Sequence, residues 1–198
     1  MDFTSMNNNS QGLLNLSKGG VLDLTKQDKV YSKINVGGGW DVVINGPSAD
    51  LDLSAFLLDR NGRITDTSRQ VVFFNQMRQN GIFLNGDNRT GAGEGDDEVI
   101  SIDLNNIDSN IDKIVFFITI FEAQQKAQNF GQVSNAFIRL VDASDDSEIV
   151  RYNLTDNYST DTAVTAAELF RNPTGGWSFK AIGEGSISDL NQLVSRYI

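Results

Sequence analysis

The sequence predicts an all-β protein, a β-sandwich of two sheets finished by a short C-terminal helix, and three observations carry that prediction. Runs rich in β-branched and aromatic residues recur along almost the whole 198-residue length. Asn-Gly pairs at 61–62, 80–81 and 85–86 fall between them as turns. The longest apolar run, IVFFITIF at 114–121, is far too short to cross a bilayer as a helix and has the length of a strand buried on both faces.

Taken in order, strands are expected at VLDLT (21–25), KVYSKINV (29–36), ADLDLSAFLLD (49–59), QVVFF (70–74) and GIFLN (81–85). They continue at EVISIDL (98–104), KIVFFITIF (113–121), AFIRLVD (136–142), EIVRYNL (148–154) and WSFKAI (177–182). In the third of these, Leu51 and Leu53 alternate with Asp50 and Asp52. The two-residue period therefore sends the leucines inward and both carboxylates to the other face, toward water or a metal. DTAVTAAELFR (161–171) mixes helix-favouring Ala and Glu with a Val, Thr and Phe pattern, and strand is the reading preferred. In the tail SISDLNQLVSRYI, Ser186 is placed to cap a helix whose Ile187, Leu190, Val194 and Ile198 share a face, covering the open end or edge of the sandwich. The glycines of VGGGWD (36–41) mark a sharp strand exit beside a packed Trp40, and Trp177 is also assigned to the core. With only two prolines, no linker and no repeat, the chain divides into a flexible polar lead-in at 1–12 and one domain at 13–198.

The net charge of −10 makes phosphate backbones and anionic membranes poor partners and cations good ones. The chain has no Cys and no His, which removes thiolate and imidazole chemistry together. Any metal must then be held by oxygen, and oxygen-only sites suit hard ions, Ca²⁺ first. Neither a thiol for reducing an oxyanion nor a recognisable cofactor motif is present. The start, MDFTSMNNNSQG, has no basic or apolar segment of a signal peptide, so a cytoplasmic protein without direct membrane insertion is expected.

One segment asks for chemistry. NGDNRTGAGEGDDEVISIDL (85–104) gathers Asp87, Glu94, Asp96, Asp97 and Glu98 with Arg89 as the only base. Asp87 to Glu98 has the length of an EF-hand loop, but Arg89, Gly91 and Ala92 occupy its third, fifth and sixth positions, and a strand pattern follows instead of a helix. The EF-hand is rejected. GAGEGDD is no phosphate cradle either, since no Lys-Ser or Lys-Thr follows and the acids oppose a phosphate. Clustered carboxylates repel one another, and a divalent cation reverses that sign. A solvated acidic face is the plain alternative. Such a face needs no glycines, whereas Gly86, Gly91, Gly93 and Gly95 let a backbone curl and turn carbonyl oxygens toward an ion. If the loop folds over Asp50 and Asp52, the combined oxygens exceed what one ion needs, so one or two Ca²⁺ ions are expected. Two carboxylates also serve glycosidases, but no pattern here singles out one carboxyl of raised pKa.

LSKGG (16–20), LTK (24–26), VGGGWD, DLDLSAFLL (50–58), GDNRTGAGEGDDE (86–98), KIVFFITI (113–120), QNFGQVSNAFIRLVD (128–142) and EIVRYNL together resemble the tellurium-resistance TerD-like family, in order and over residues 13–198. The resemblance implies a calcium-binding β-sandwich tied to tellurite and other stresses, cytoplasmic or loosely membrane-associated through partners. It places metal-binding roles on Asp50, Asp52, Asp87, Asn88, Asp96, Asp97 and Glu98; the reading of the residues adds Gly91 and Glu94. Three departures stand out: Phe121-Glu122 replaces a His-Asp pair, GGGWD replaces GLGWD, and the Asn-rich start is extra. In QNFGQVSNAF, Gly131 is expected in a turn, with Asn129 and Asn135 pairing backbone groups. The expected protein is thus a non-enzymatic calcium-binding stress protein whose partners are other tellurium-resistance-type proteins, with a calcium-dependent small-molecule, carbohydrate or nucleotide module as the alternative.

Overall fold

The computed structural model describes residues 6–8, 14–25, 30–42, 49–86, 95–154 and 158–198. In chain order the elements are β1 (Met6–Asn8), β2 (Leu14–Leu16), β3 (Val21–Asp23), β4 (Lys33–Val42), β5 (Leu51–Asp59), α1 (Thr67–Gln70), β6 (Val71–Val72), β7 (Arg78–Gln79), β8 (Ile82–Leu84) and β9 (Glu98–Asp103). There follow β10 (Ile111–Ile120), α2 (Ala123–Lys126), β11 (Val133–Asp142), β12 (Glu148–Asn153), β13 (Ala163–Arg171), β14 (Trp177–Ser186) and α3 (Leu190–Ser195). One sheet runs β1-β2-β12-β11-β4-β9-β8-β7 and the other β3-β14-β13-β10-β5-β6. The expected sandwich of two sheets with a short C-terminal helix is what forms. No helix among the described residues is long and apolar enough to cross a membrane.

Strand periodicity explains the core. Leu51, Leu53, Ile114, Phe116 and Ile118 point between the sheets against Ile34, Val36, Ile100 and Ile138 of the opposite layer. The intervening residues Phe56, Leu58, Val115 and Phe117 form a second apolar layer on the outer face of the six-stranded sheet. β10 pairs with β5 on one side and β13 on the other, and its faces are covered by the opposite sheet and by the layer around Leu193, which is why its sequence is apolar at nearly every position. Trp40 and Trp177 are buried, as expected. The strand reading of 161–171 also holds, as β13.

Four expectations are corrected. Residues 30–32 precede the strand, and β4 instead runs straight through Gly37, Gly38 and Gly39, so these glycines mark no exit. QVVFF becomes the end of a helical turn and a two-residue strand, because Asp66 caps α1 and the Gln70 amide oxygen accepts the N–H groups of Thr65 and Asp66. Helix α3 is capped by Asp189, which accepts Gln192 N–H at 2.8 Å while Gln192 Oε1 accepts the Asp189 N–H at 2.9 Å. Ser186 is still in β14, paired with Ala163. The helix packs Leu193, Leu190, Val194 and Tyr197 onto the outer layer of Phe56 and Phe117, while Ile187 and Ile198 stay exposed at 65% and 64%. It therefore covers a sheet face and not an open end.

Met6–Asn8 pairs antiparallel with β2, within the stretch expected as a lead-in. Asn129 caps a 3₁₀ turn at Phe130–Gln132 by accepting Gly131 N–H at 3.0 Å, as expected of that motif. Asn135 differs: at φ 52° it donates to the Asp41 carboxylate at 2.6 Å and not to a backbone group.

Candidate metal centre

The acidic segment meets the sandwich where β9 begins, and alternation separates its three described carboxylates. Glu98 lies opposite Gly38 and points inward with Ile100 and Ile102. It is 3% exposed, and its Oε2 accepts the Leu53 N–H at 2.6 Å, joining the two sheets. β6 pairs only with Ala55 and Phe56, so the N–H of Leu53 lies beyond its reach and a carboxylate takes the place of a neighbouring strand.

Asp96 points the other way, onto the outer face of the eight-stranded sheet. Arg139 of β11 binds it through two nitrogens, Nε to Oδ1 at 2.7 Å and Nη2 to Oδ2 at 3.1 Å. The same guanidinium donates to Glu148 at 2.7 Å, and Arg151 donates to Glu148 twice at 3.0 Å while lying 4.0 Å over the Phe137 ring. The glycines of β4 make room for this layer. A Cβ on Gly37 would stand 2.2 Å from the Asp96 carboxyl carbon, and one on Gly39 would stand 2.4 Å from the Phe137 ring and 2.7 Å from the Gly95 carbonyl oxygen. Only glycine lets β4 carry the returning acidic segment on its back.

Asp97 is half-buried and its Oδ2 accepts the Trp40 N–H at 2.9 Å. Burial pushes its carboxyl above the ordinary carboxylate range; the Trp40 hydrogen bond pulls it partly back, and the negative charges of Asp41 and Asp96 raise it further. Asp41 was not among the expected site residues, nor was Arg139. The signals for them were present: Asp41 ends VGGGWD, and Arg139 is a lone base in the apolar strand AFIRLVD. Their meeting with the acidic segment depends on the pairing of β4 with both β9 and β11.

Of the other expected ligands, Asp50 stands just ahead of β5, with its carbonyl accepting Phe121 N–H at 2.8 Å. Asp52, 7% exposed, faces a cavity on the outer side of the six-stranded sheet, so its face is covered by protein. Asp87, Asn88, Gly91 and Glu94 lie outside the described residues. Among the described residues, no three acidic side chains stand close enough to hold a metal ion by themselves. The described donors in this region are carboxylate oxygens, of the kind that suits a hard cation.

Residues 13–197 match the TerD domain. The chain is 44% identical over 188 residues to general stress protein 16U of Bacillus subtilis, covering 93% of this chain and 96% of that protein. It is 43% identical over 186 residues to tellurium resistance protein TerD of Serratia marcescens, covering 93% and 96%. A crystal structure of a homologue of telluride resistance protein from Streptomyces coelicolor superposes with a TM-score of 0.63 at 23% identity, over 83% of this chain and 95% of that one. At that identity the last likeness concerns the fold.

Proposed function

The chain belongs to the TerD-domain family of tellurium-resistance and stress-response proteins, and from that membership we propose that it is a non-enzymatic calcium-binding protein. In this reading Asp96 and Asp97, with Asp50 and the oxygens of Asp87, Asn88, Gly91 and Glu94, hold one or two Ca²⁺ ions. A bound ion would supply the positive charge that Arg89 alone cannot provide against five acids. What this chain does is position the donors: Arg139 and the space over Gly37 fix Asp96, and the Trp40 N–H fixes Asp97. With its charges neutralised, the segment becomes an ordered surface for basic or metal-bridged contact with other proteins of the tellurium-resistance type, membrane-associated ones included. What supports the reading is the half-buried Asp97 carboxylate, held by the Trp40 backbone N–H, its pKa raised by burial first, with the negative charges of Asp41 and Asp96 adding to it.

Calorimetric titration of the chelated full chain with CaCl₂ and then MgCl₂ tests it. One or two saturable calcium events, with much weaker magnesium uptake, are expected; an isotherm showing no calcium event ends the proposal.

A further inference from the structure

The outer face of the six-stranded sheet, opposite the face that carries Asp96, contains a cavity of about 390 Å³. Asp52 and Thr119 lie side by side on its floor, paired across β5 and β10 and 7% and 4% exposed. Phe74 and Phe121 form one wall, their rings perpendicular with centroids 5.6 Å apart, and Glu122 stands at the rim. None of the described residues lining it is Lys or Arg.

A buried carboxylate beside a hydroxyl and aromatic faces is the chemistry that receives an organic ammonium group. The carboxylate supplies the counter-charge, the hydroxyl accepts one of the three N–H donors, and the rings attract the cation through their faces. A hard divalent metal is badly served there, since among the described residues no three acidic side chains converge closely enough to hold one and the aromatic wall adds no oxygen. The chain displays the same recognition at the rim with its own side chain: Lys126 Nζ lies 3.7 Å from a Glu122 oxygen and 4.8 Å from the Phe121 ring centroid. Of the three acids that line the cavity, Asp189 caps α3 and Glu122 holds Lys126 in an exposed pair that a second ammonium would displace at little cost, so Asp52 is the principal ammonium seat, and the volume suits a small ligand.

We propose that this cavity binds a small aliphatic diamine or polyamine, with one ammonium on Asp52 and Thr119 and its hydrocarbon chain along Phe74 and Phe121. This assigns Asp52 to an organic cation and leaves the metal to the acidic segment. The net charge of −10 raises the local concentration of such cations but gives no preference for this cavity. Specificity must therefore come from the residues named.

The test is calorimetric titration of the full chain, at about 0.15 M salt to screen diffuse attraction, with 1,4-diaminobutane and with uncharged 1,4-butanediol. Saturable heat is expected for the diamine alone. Asp52→Asn should weaken it at least about tenfold, and Phe121→Leu, which keeps the floor intact if Asp52→Asn fails to fold, about threefold to tenfold. Absence of saturable diamine heat, equal binding of the diol, affinity unmoved by the substitutions, or displacement of the diamine by calcium overturns the proposal. Calcium is titrated into the same wild-type protein: diamine uptake without calcium uptake sinks the metal reading alone, and calcium uptake without diamine uptake sinks this one alone.

Discussion

Burial lifts the Asp97 carboxyl, the Trp40 N–H offsets part of that, and the charges of Asp41 and Asp96 lift it again. A carboxyl whose folded pKa stands above its unfolded one favours folding while protonated. That contribution is fully present below the unfolded value and is lost as pH rises through the folded one. At neutral pH an ionised Asp97 therefore opposes folding of the calcium-free chain, a cost that a cation bound at this carboxylate would reverse. Asp97→Asn removes the charge and keeps an oxygen for Trp40. In chelator the variant is expected to melt about 1–2 °C higher than wild type, because a solvent-screened contact of this kind is worth below about 1 kcal/mol. In saturating calcium it should melt lower, having lost a donor. Paired thermal melts with chelator and with calcium read both signs, and a variant that calcium stabilises as much as wild type removes Asp97 from the site.

Between elements, the chain of charge from Asp96 through Arg139 and Glu148 to Arg151 ties β9 to β11 and β12. Burial alone would raise the Glu148 carboxyl, but hydrogen bonds from Arg151 and Arg139 outweigh it and leave it below the ordinary glutamate value. Here the linkage has the opposite sign: the stabilisation is present above the unfolded pKa and is lost as pH falls through the folded one. Glu148→Gln should therefore cost roughly 1 kcal/mol at pH 7, a deficit that shrinks in acid as wild-type Glu148 protonates. Urea unfolding of both proteins at neutral and acid pH measures it; a deficit constant across pH argues that Glu148 acts through packing alone. None of this network was readable from local patterns, because it depends on the register of three strands. β10 was legible since burial on both faces leaves nearly every position apolar, whereas β13, with its Ala and Glu, was ambiguous between helix and strand. The glycines of β4 were misread for a physical reason: a glycine in a strand looks like a break until one knows that the Asp96 carboxyl and the Phe137 ring occupy its side-chain space. Ser186 and Asp189 are both good caps, and only the pairing of Ser186 in β14 decides between them. For the candidate site, the alternation of Leu51 and Leu53 with Asp52 was correct, yet periodicity cannot say that a cavity and not open water covers the acidic face.

At the scale of the molecule, a net charge of −10 means that any cation will stabilise the fold to some degree, and a calcium effect must be separated from that background. The two mechanisms depend differently on salt. Diffuse self-repulsion is screened by monovalent ions within a Debye length of about 10 Å at 0.1 M, shrinking further as salt rises. Raising NaCl from about 0.05 to about 0.5 M should thus raise the melting temperature of the chelated protein without any specific site. A coordinated ion instead stabilises by its occupancy: free calcium at about a hundred times its dissociation constant adds roughly 2.7 kcal/mol if the unfolded chain does not bind it. For a chain of this size that amounts to about 5–10 °C. The calcium increment should diminish at high salt, since the segment's charges are partly screened, but it should survive, and magnesium at equal concentration should not reproduce it. Scanning calorimetry over the four combinations of low or high NaCl with chelator or calcium, with magnesium as the matched dication, makes the distinction. An increment that disappears in high salt, or that magnesium matches, identifies calcium as one more counter-ion around an acidic protein and dissolves the case for coordination.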